Sequence, residues 1–195
     1  MEQIRSFIAI ELPEEVKEGL KQVEDRLKSS DSSSAKWVDP QNIHLTLKFL
    51  GNLDVDKIDS ITQVIQNAAR TITSFELKIN RTGCFPNTRR VQTIWIGLSG
   101  DIDKLEVLQR NIELGVAPLG FPTEESPFKP HLTLARVRDY IDLEKRQVLG
   151  ETVCGTQIEL DLRIRVNSIN LMRSQLTPAG AIYSKLCSVE LKSPC

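Results

Sequence analysis

The sequence predicts an α+β protein: two pseudo-symmetric lobes of antiparallel β-sheet forming a central groove, with helices on the outside. Two observations carry this. Strand-like and helix-like segments do not follow a clean strand–helix–strand repeat, which favours antiparallel pairing over a parallel sheet. One tetrapeptide, His-Leu-Thr-Leu, occurs twice, at His44 to Leu47 and His131 to Leu134, once in each half of the chain. Residues 1–195 are therefore read as one bilobal domain with one motif per lobe.

The elements follow in order. Arg5 to Leu12 is a short apolar run and reads as a buried strand. Pro13 starts a helix, with Glu14 and Glu15 in the first turn, where the helix dipole favours acids. Val16, Leu20, Val23 and Leu27 give it an apolar stripe. Ser29 to Ala35 is a polar loop, and Trp37 to Pro40 leads into the first motif strand, which ends at Gly51 and Asn52. Asp56 to Arg70 is a second helix through Ile58, Ile61, Ile65 and Ala69. Phe75 to Ile79 and Val91 to Leu98 read as antiparallel strands, joined by a long basic loop from Arg81 to Arg90. Asp101 caps a third helix that runs to Leu114. A proline-rich segment, Gly120 to Pro130, delivers the second motif strand. Tyr140 to Leu149 is a short helix and Gln157 to Arg165 a strand. Val166 to Met172 and Gly180 to Leu191 form a final pair around the turn Thr177 to Gly180.

Bulk properties narrow the function. A chain of 195 residues, 40% hydrophobic and 26% charged, is ordinary globular composition. A net charge of -1 excludes a general polyanion binder, so any nucleic-acid contact requires a local basic patch. Arg81, Arg89, Arg90, Lys129, Arg136, Arg138 and Arg173 are its candidates. The charged start, Met1 to Arg5, does not read as a signal peptide, and no apolar run is long enough to span a membrane. The expectation is a cytoplasmic monomer. The cysteines are scattered, with Cys84, Cys154 and Cys187 read as small apolar fillers and Cys195 as a tail thiol. No metal site and no cofactor are expected, since neither motif has further histidine or cysteine near it.

The duplicated motif carries the chemistry. With a period of two, His44, Thr46 and Lys48 share one strand face, and His131, Thr133 and Ala135 share another. A single His-Leu-Thr-Leu says little, because threonine and leucine are common in strands. Two copies that use both histidines of the chain say much more. An unperturbed imidazole titrates near ~6.5, so a pair supplies one base and one acid at neutral pH. Phosphodiester cleavage needs both, one on each side of phosphorus, because the attacking and leaving oxygens lie in line. Thr46 and Thr133 can donate to nonbridging phosphate oxygens, and Lys48 can bind phosphate. Arg136 falls on the wrong face under strict alternation, so a role there requires a bulge. Phe7, Trp37, Phe49, Phe85 and Trp95 are aromatic residues that can stack on a base, although core packing accounts for most of them.

These residues resemble the 2H phosphoesterases, named for two His-x-Thr-x motifs, and more narrowly the bacterial and archaeal RNA 2′,3′-cyclic phosphodiesterases, also called 2′-5′ RNA ligases. The resemblance takes in Phe7 to Pro13, Trp37 to Gly51, Phe85-Pro86 before Arg89 and Trp95, Pro127 to Arg136, and Ser168 to Tyr183. It implies metal-independent opening of a 2′,3′-cyclic phosphate to a 2′-phosphate. By motif, His44 would donate a proton to the 3′ oxygen and His131 would be the base for water; the near-identical motifs alone do not assign these roles. Arg136 would contact phosphate. The implied partners are RNA ends or small nucleotides carrying a 2′,3′-cyclic phosphate, tRNA halves among them, with 2′-5′ ligation as the reverse type of chemistry. Cys84 in the basic loop and the serine-rich loop before Trp37 depart from the pattern and bear on RNA preference. The competing readings are a non-catalytic nucleotide-binding module of the same superfamily and a two-histidine endonuclease that makes cyclic phosphates.

Overall fold

The computed structural model describes residues 2–29, 33–158, 160–178 and 180–193. Among them lie nine strands and four α-helices. They are β1 (Gln3–Glu11), α1 (Glu14–Lys28), β2 (Ala35–Trp37), β3 (His44–Asp54), α2 (Ile58–Ala69), β4 (Phe75–Phe85), β5 (Thr93–Gly100), α3 (Ile102–Val116), β6 (His131–Val137), α4 (Leu143–Gly155), β7 (Arg163–Val166), β8 (Ser168–Thr177) and β9 (Gly180–Glu190). The strands form one curled antiparallel sheet, ordered β7-β4-β5-β6-β3-β1-β8-β9, with β2 added alongside β6.

The two motif strands lie side by side at the centre, joined by the pair Leu45–Leu132. One wing continues from β3 through β1, β8 and β9; the other continues from β6 through β5, β4 and β7. The wings are not the two halves of the chain. β4 follows the first motif but pairs in the second motif's wing, and β8 follows the second motif but pairs with β1. Only Asn167 separates β7, paired with β4, from β8, paired with β1. The curl follows from this, because one nearly continuous strand serves both outer regions of the sheet.

The helices cover one face. The α1 stripe is as expected, with Val16, Leu20, Val23 and Leu27 buried, and Glu24 is buried among them. Ile61 and Ile65 of α2 and Leu105, Leu108 and Ile112 of α3 enter the same core, which is continuous beneath the sheet. On the opposite, groove face a small cluster of Phe7, Ala9 and Met172 is backed by Tyr183.

Several boundaries differ from the sequence reading. β4 runs through Phe85, so the basic loop shrinks to residues 86–92, around the 3-10 turn Thr88–Arg90. A bulge between Ile79 and Thr82 breaks the alternation there, which hides the strand from a period-two reading. Asp101 precedes α3, but its carboxylate accepts from the Glu76 N–H of β4 rather than capping the helix. Asp142 accepts from Lys145 N–H and starts α4 at Leu143, later than expected. The strand expected over Gln157 to Arg165 is only Arg163–Val166. Cys84 is buried and Cys187 half-buried, but Cys154 is exposed, its Sγ 3.7 Å from that of Cys84. Residues 30–32 of the serine-rich loop, Glu159, Ala179 of the final turn and Cys195 lie outside the described residues. Among the described residues no helix is long and apolar enough to cross a membrane.

Candidate active site

Both motifs open onto one groove, a cavity of about 1170 Å³ lined by His44, Thr46, His131, Thr133 and Arg136 among others. The two imidazoles are held in the same way. His44 Nδ1 lies 2.8 Å from the carbonyl oxygen of Asn42, and His131 Nδ1 lies 2.7 Å from that of Lys129. A carbonyl only accepts, so each Nδ1 carries the hydrogen and donates it. Each Nε2 is left as the nitrogen that gains or loses a proton.

Aromatic rings fix both imidazoles laterally. Phe7 stacks on His44 at 4.6 Å between centroids, and Tyr183 meets the same ring edge-on at 5.2 Å. Phe85 meets His131 edge-on at 5.1 Å, and Trp95 lies 6.5 Å away. Burial pushes the pKa of His44 below the usual histidine value. The Asn42 carbonyl and the negative charge of Glu11, its cross-strand partner, oppose that shift without cancelling it. Burial raises the phenol pKa of Tyr183, opposed by the positive charges of Arg136 and Arg5.

The same irregularity occurs in both motif strands. Ile8 pairs with Lys48 and Ala9 with Thr46, so Leu47 is an extra residue. Ile94 pairs with Ala135 and Trp95 with Thr133, so Leu134 is an extra residue. Both bulged leucines are buried. A bulge shifts the phase of everything beyond it by one. Arg136 is thereby brought to the groove, as a role there requires, and so is Phe49, at the matching position of β3 and 60% exposed.

The bulge corrects the expectation for Lys48. Its side chain is 2% exposed rather than presented beside His44. Its Nζ donates to the Pro122 carbonyl at 2.7 Å and to Glu113 and Glu124 carboxylate oxygens at 3.2 Å each. All three ammonium hydrogens have partners, which leaves none for a phosphate. Lys48 instead pins the segment that leads into β6.

Of the other candidates, Lys129 lines the groove, whereas Arg138 donates to the Ser33 carbonyl. Trp37 packs against the main core with the Lys28 ammonium over its ring. No sequence motif marks Tyr183, Glu11 or Arg5 as a site residue. Tyr183 sits on the last strand, far from either motif; it and Glu11 lie in segments that share the family resemblance, but no local pattern gives either a place beside His44.

The LigT like phosphoesterase family profile matches residues 10–95 and again 96–183, one motif in each match. A protein of Methanothermobacter thermautotrophicus named RNA 2′,3′-cyclic phosphodiesterase is 34% identical over 185 residues, 94% of this chain and 97% of its own length. One of the same name from Thermotoga maritima is 33% identical, over 94% of this chain and 93% of its own. Among solved structures, a Thermus thermophilus protein matches with a TM-score of 0.76 at 28% identity, covering 97% of this chain and 98% of that one. Escherichia coli LigT complexed with 3′-AMP shares the fold with a TM-score of 0.78 at 24% identity, covering 97% and 99%. With both profile matches placed on the two motifs that meet in the groove, the chain belongs to the LigT-like phosphoesterase family.

Proposed function

We propose that this phosphoesterase opens the 2′,3′-cyclic phosphate of an RNA end or small nucleotide to a 2′-phosphate, with His44 and His131 as its acid–base pair. The observation that carries the reading is the matched tethering of the two imidazoles. Each gives its Nδ1 hydrogen to the carbonyl two residues earlier, so each presents Nε2 as its working nitrogen.

In the reaction water attacks phosphorus in line with O3′. The P–O bond to water forms as the P–O3′ bond breaks. One Nε2 takes a proton from the water, and the other, initially protonated, gives its proton to O3′. Family resemblance assigns the donor to His44 and the base to His131. Thr46 and Thr133 donate hydroxyl hydrogens to nonbridging oxygens as charge builds on them. Arg136 contacts the phosphate, and the exposed ring of Phe49 offers a stacking face for the base. With the 5′-hydroxyl of a second RNA end in place of water, the same steps produce a 2′-5′ linkage; in water hydrolysis prevails.

The test uses a nucleoside 2′,3′-cyclic phosphate and a short RNA ending in one, in excess EDTA, with 2′- and 3′-phosphate products separated. The expected product is the 2′-phosphate, and His44→Ala and His131→Ala should each lose roughly 10²–10⁴-fold in kcat. Full activity in either variant, or tight nucleotide binding without turnover in the wild type, overturns the reading.

A further inference from the structure

Beside the groove, with Arg136 lining both, lies a second cavity of about 460 Å³. It sits where the turn after β4, the start of β5, the end of β6 and the start of α4 meet. Its charged lining is Arg90, Arg136, Arg146 and Asp139.

Arg146 is built in. Its Nε donates to the Ile141 carbonyl at 2.9 Å and its Nη1 to that of Val91 at 2.6 Å. Its Nη2 donates to Arg138 O at 2.9 Å and Asp139 O at 3.4 Å. Carbonyls satisfy donors but carry no net charge, so none of these bonds gives this half-buried guanidinium a counter-ion. Arg90 and Arg136 are exposed. Among the described residues the arginine ion pairs are those of Arg163 with Glu76 and Asp161, so all three lining arginines stand outside any ion pair. Asp139 alone opposes them.

The cavity also lies in a useful direction. Along β5, Gly97 stands opposite His131, Trp95 opposite Thr133 and Thr93 opposite Arg136. Arg90 lies beyond Thr93, so the cationic lining begins roughly 13 Å along the strand from the level of His131. A cyclic phosphate occupies the 3′ terminus of an RNA, so the rest of the strand must leave the groove on its 5′ side. The other wing's side of the groove mixes the exposed side chains of Phe49, Leu114 and Leu176 with Arg5 and Arg110, whereas the second cavity brings three arginines to one place.

We propose that this second cavity is a phosphodiester subsite, in which Arg90, Arg146 and the shared Arg136 hold the backbone of the RNA strand running 5′ from the reacting end. It rests on the RNA phosphodiesterase reading and adds that the enzyme grips a strand, not only a terminal nucleotide.

Arg146 supports four carbonyls, so Arg90 and Asp139 are the positions to change. Fluorescence anisotropy of a short single-stranded RNA ending in a 2′-phosphate reads the subsite; turnover of a nucleoside 2′,3′-cyclic phosphate reads the groove. Arg90→Glu should weaken RNA binding about tenfold or more and flatten the salt dependence of log Kd by about one contact, with mononucleotide kcat/KM within about twofold of wild type. Arg90→Lys should keep most of the RNA affinity. Asp139→Asn should tighten RNA binding, a gain that misfolding does not produce. RNA affinity unchanged in both Arg90→Glu and Asp139→Asn, or equal losses of RNA binding and mononucleotide turnover in Arg90→Glu, overturns the subsite. A wild type that leaves the mononucleotide intact counts against the activity instead, and the RNA titrations still decide the cavity.

Discussion

Leu45 of β3 pairs directly with Leu132 of β6, and each is the second residue of its motif. Extending that antiparallel register by one residue in either direction sets His44 across from Thr133 and Thr46 across from His131. On that register each motif's histidine faces the other motif's threonine, about a local two-fold between the leucines. Thr46→Val and Thr133→Val are each expected to cost about 2–4 kcal/mol of transition-state stabilisation. Both should lower kcat more than they raise KM in steady-state kinetics on a cyclic mononucleotide. A pure KM effect would assign these hydroxyls to ground-state binding.

The lowered pKa of His44 makes a prediction about pH. If His44 is the proton donor, the free enzyme loses its active form as pH rises through that pKa. The alkaline limb of kcat/KM should then fall below the ordinary value of ~6.5. A bound phosphate anion favours the imidazolium and moves the pKa back up, so the alkaline limb of kcat should lie higher. Full pH–rate profiles check this. Were His44 the base, the low value would appear on the acid limb instead.

Lys48 should behave as a structural cation. Lys48→Met leaves Glu113, nearly buried, without its cation. A loss of about 3–5 kcal/mol is expected, the usual consequence of breaking a buried pair by removing one partner. Urea unfolding measures it. A phosphate ligand at this position would leave stability near wild type and raise KM sharply.

Glu24 gives stability its own pH dependence. Burial raises its pKa from 4.5 to about 7, only partly offset by the Lys28 ammonium at 2.8 Å. Between those values the folded state holds a proton that the unfolded state has released, so stability falls as pH rises from 4.5 to about 7 and stays lower above. Glu24→Gln should gain up to roughly 3 kcal/mol at pH 8 and almost nothing at pH 4. Denaturation at the two pH values, wild type against variant, decides it.

Gly83 supports His131 from a distance. It pairs with Trp95 across β4 and β5, and a Cβ there would land on the Trp95 indole. That indole packs 5.0 Å from Phe85, whose ring flanks His131. Gly83→Ala should therefore lower kcat by about tenfold or more, since small misplacements of catalytic groups cost up to ~100-fold. An Ala variant with wild-type kcat and an unshifted tryptophan emission would sink the idea.

The first three helices and the opening residues of both motif strands were legible because the period holds there: Val16, Leu20, Val23 and Leu27 along α1, and His44 with Thr46 along β3. Legibility stopped where the period breaks. Leu47 and Leu134 look like ordinary alternating leucines, yet as bulged residues they send Lys48 inward and Arg136 outward. Nothing local distinguishes a bulged leucine from a paired one. Tyr183 and the Lys48–Glu113 contact depend on strands and helices far apart in the chain, and the exchange of β4 and β8 between wings is a property of the sheet alone.

The hand-over at Asn167 has a kinetic consequence. One residue leaves no slack for a hinge between the strand that edges one wing and the strand that backs the other. The wings also meet through the Leu45–Leu132 pair, a second tie between them. Two ties of this kind lead us to expect that the spacing of the two imidazoles is set during folding and does not wait for a substrate. Encounter should resemble insertion into a fixed slot, with single-step binding kinetics and no slow isomerisation before chemistry.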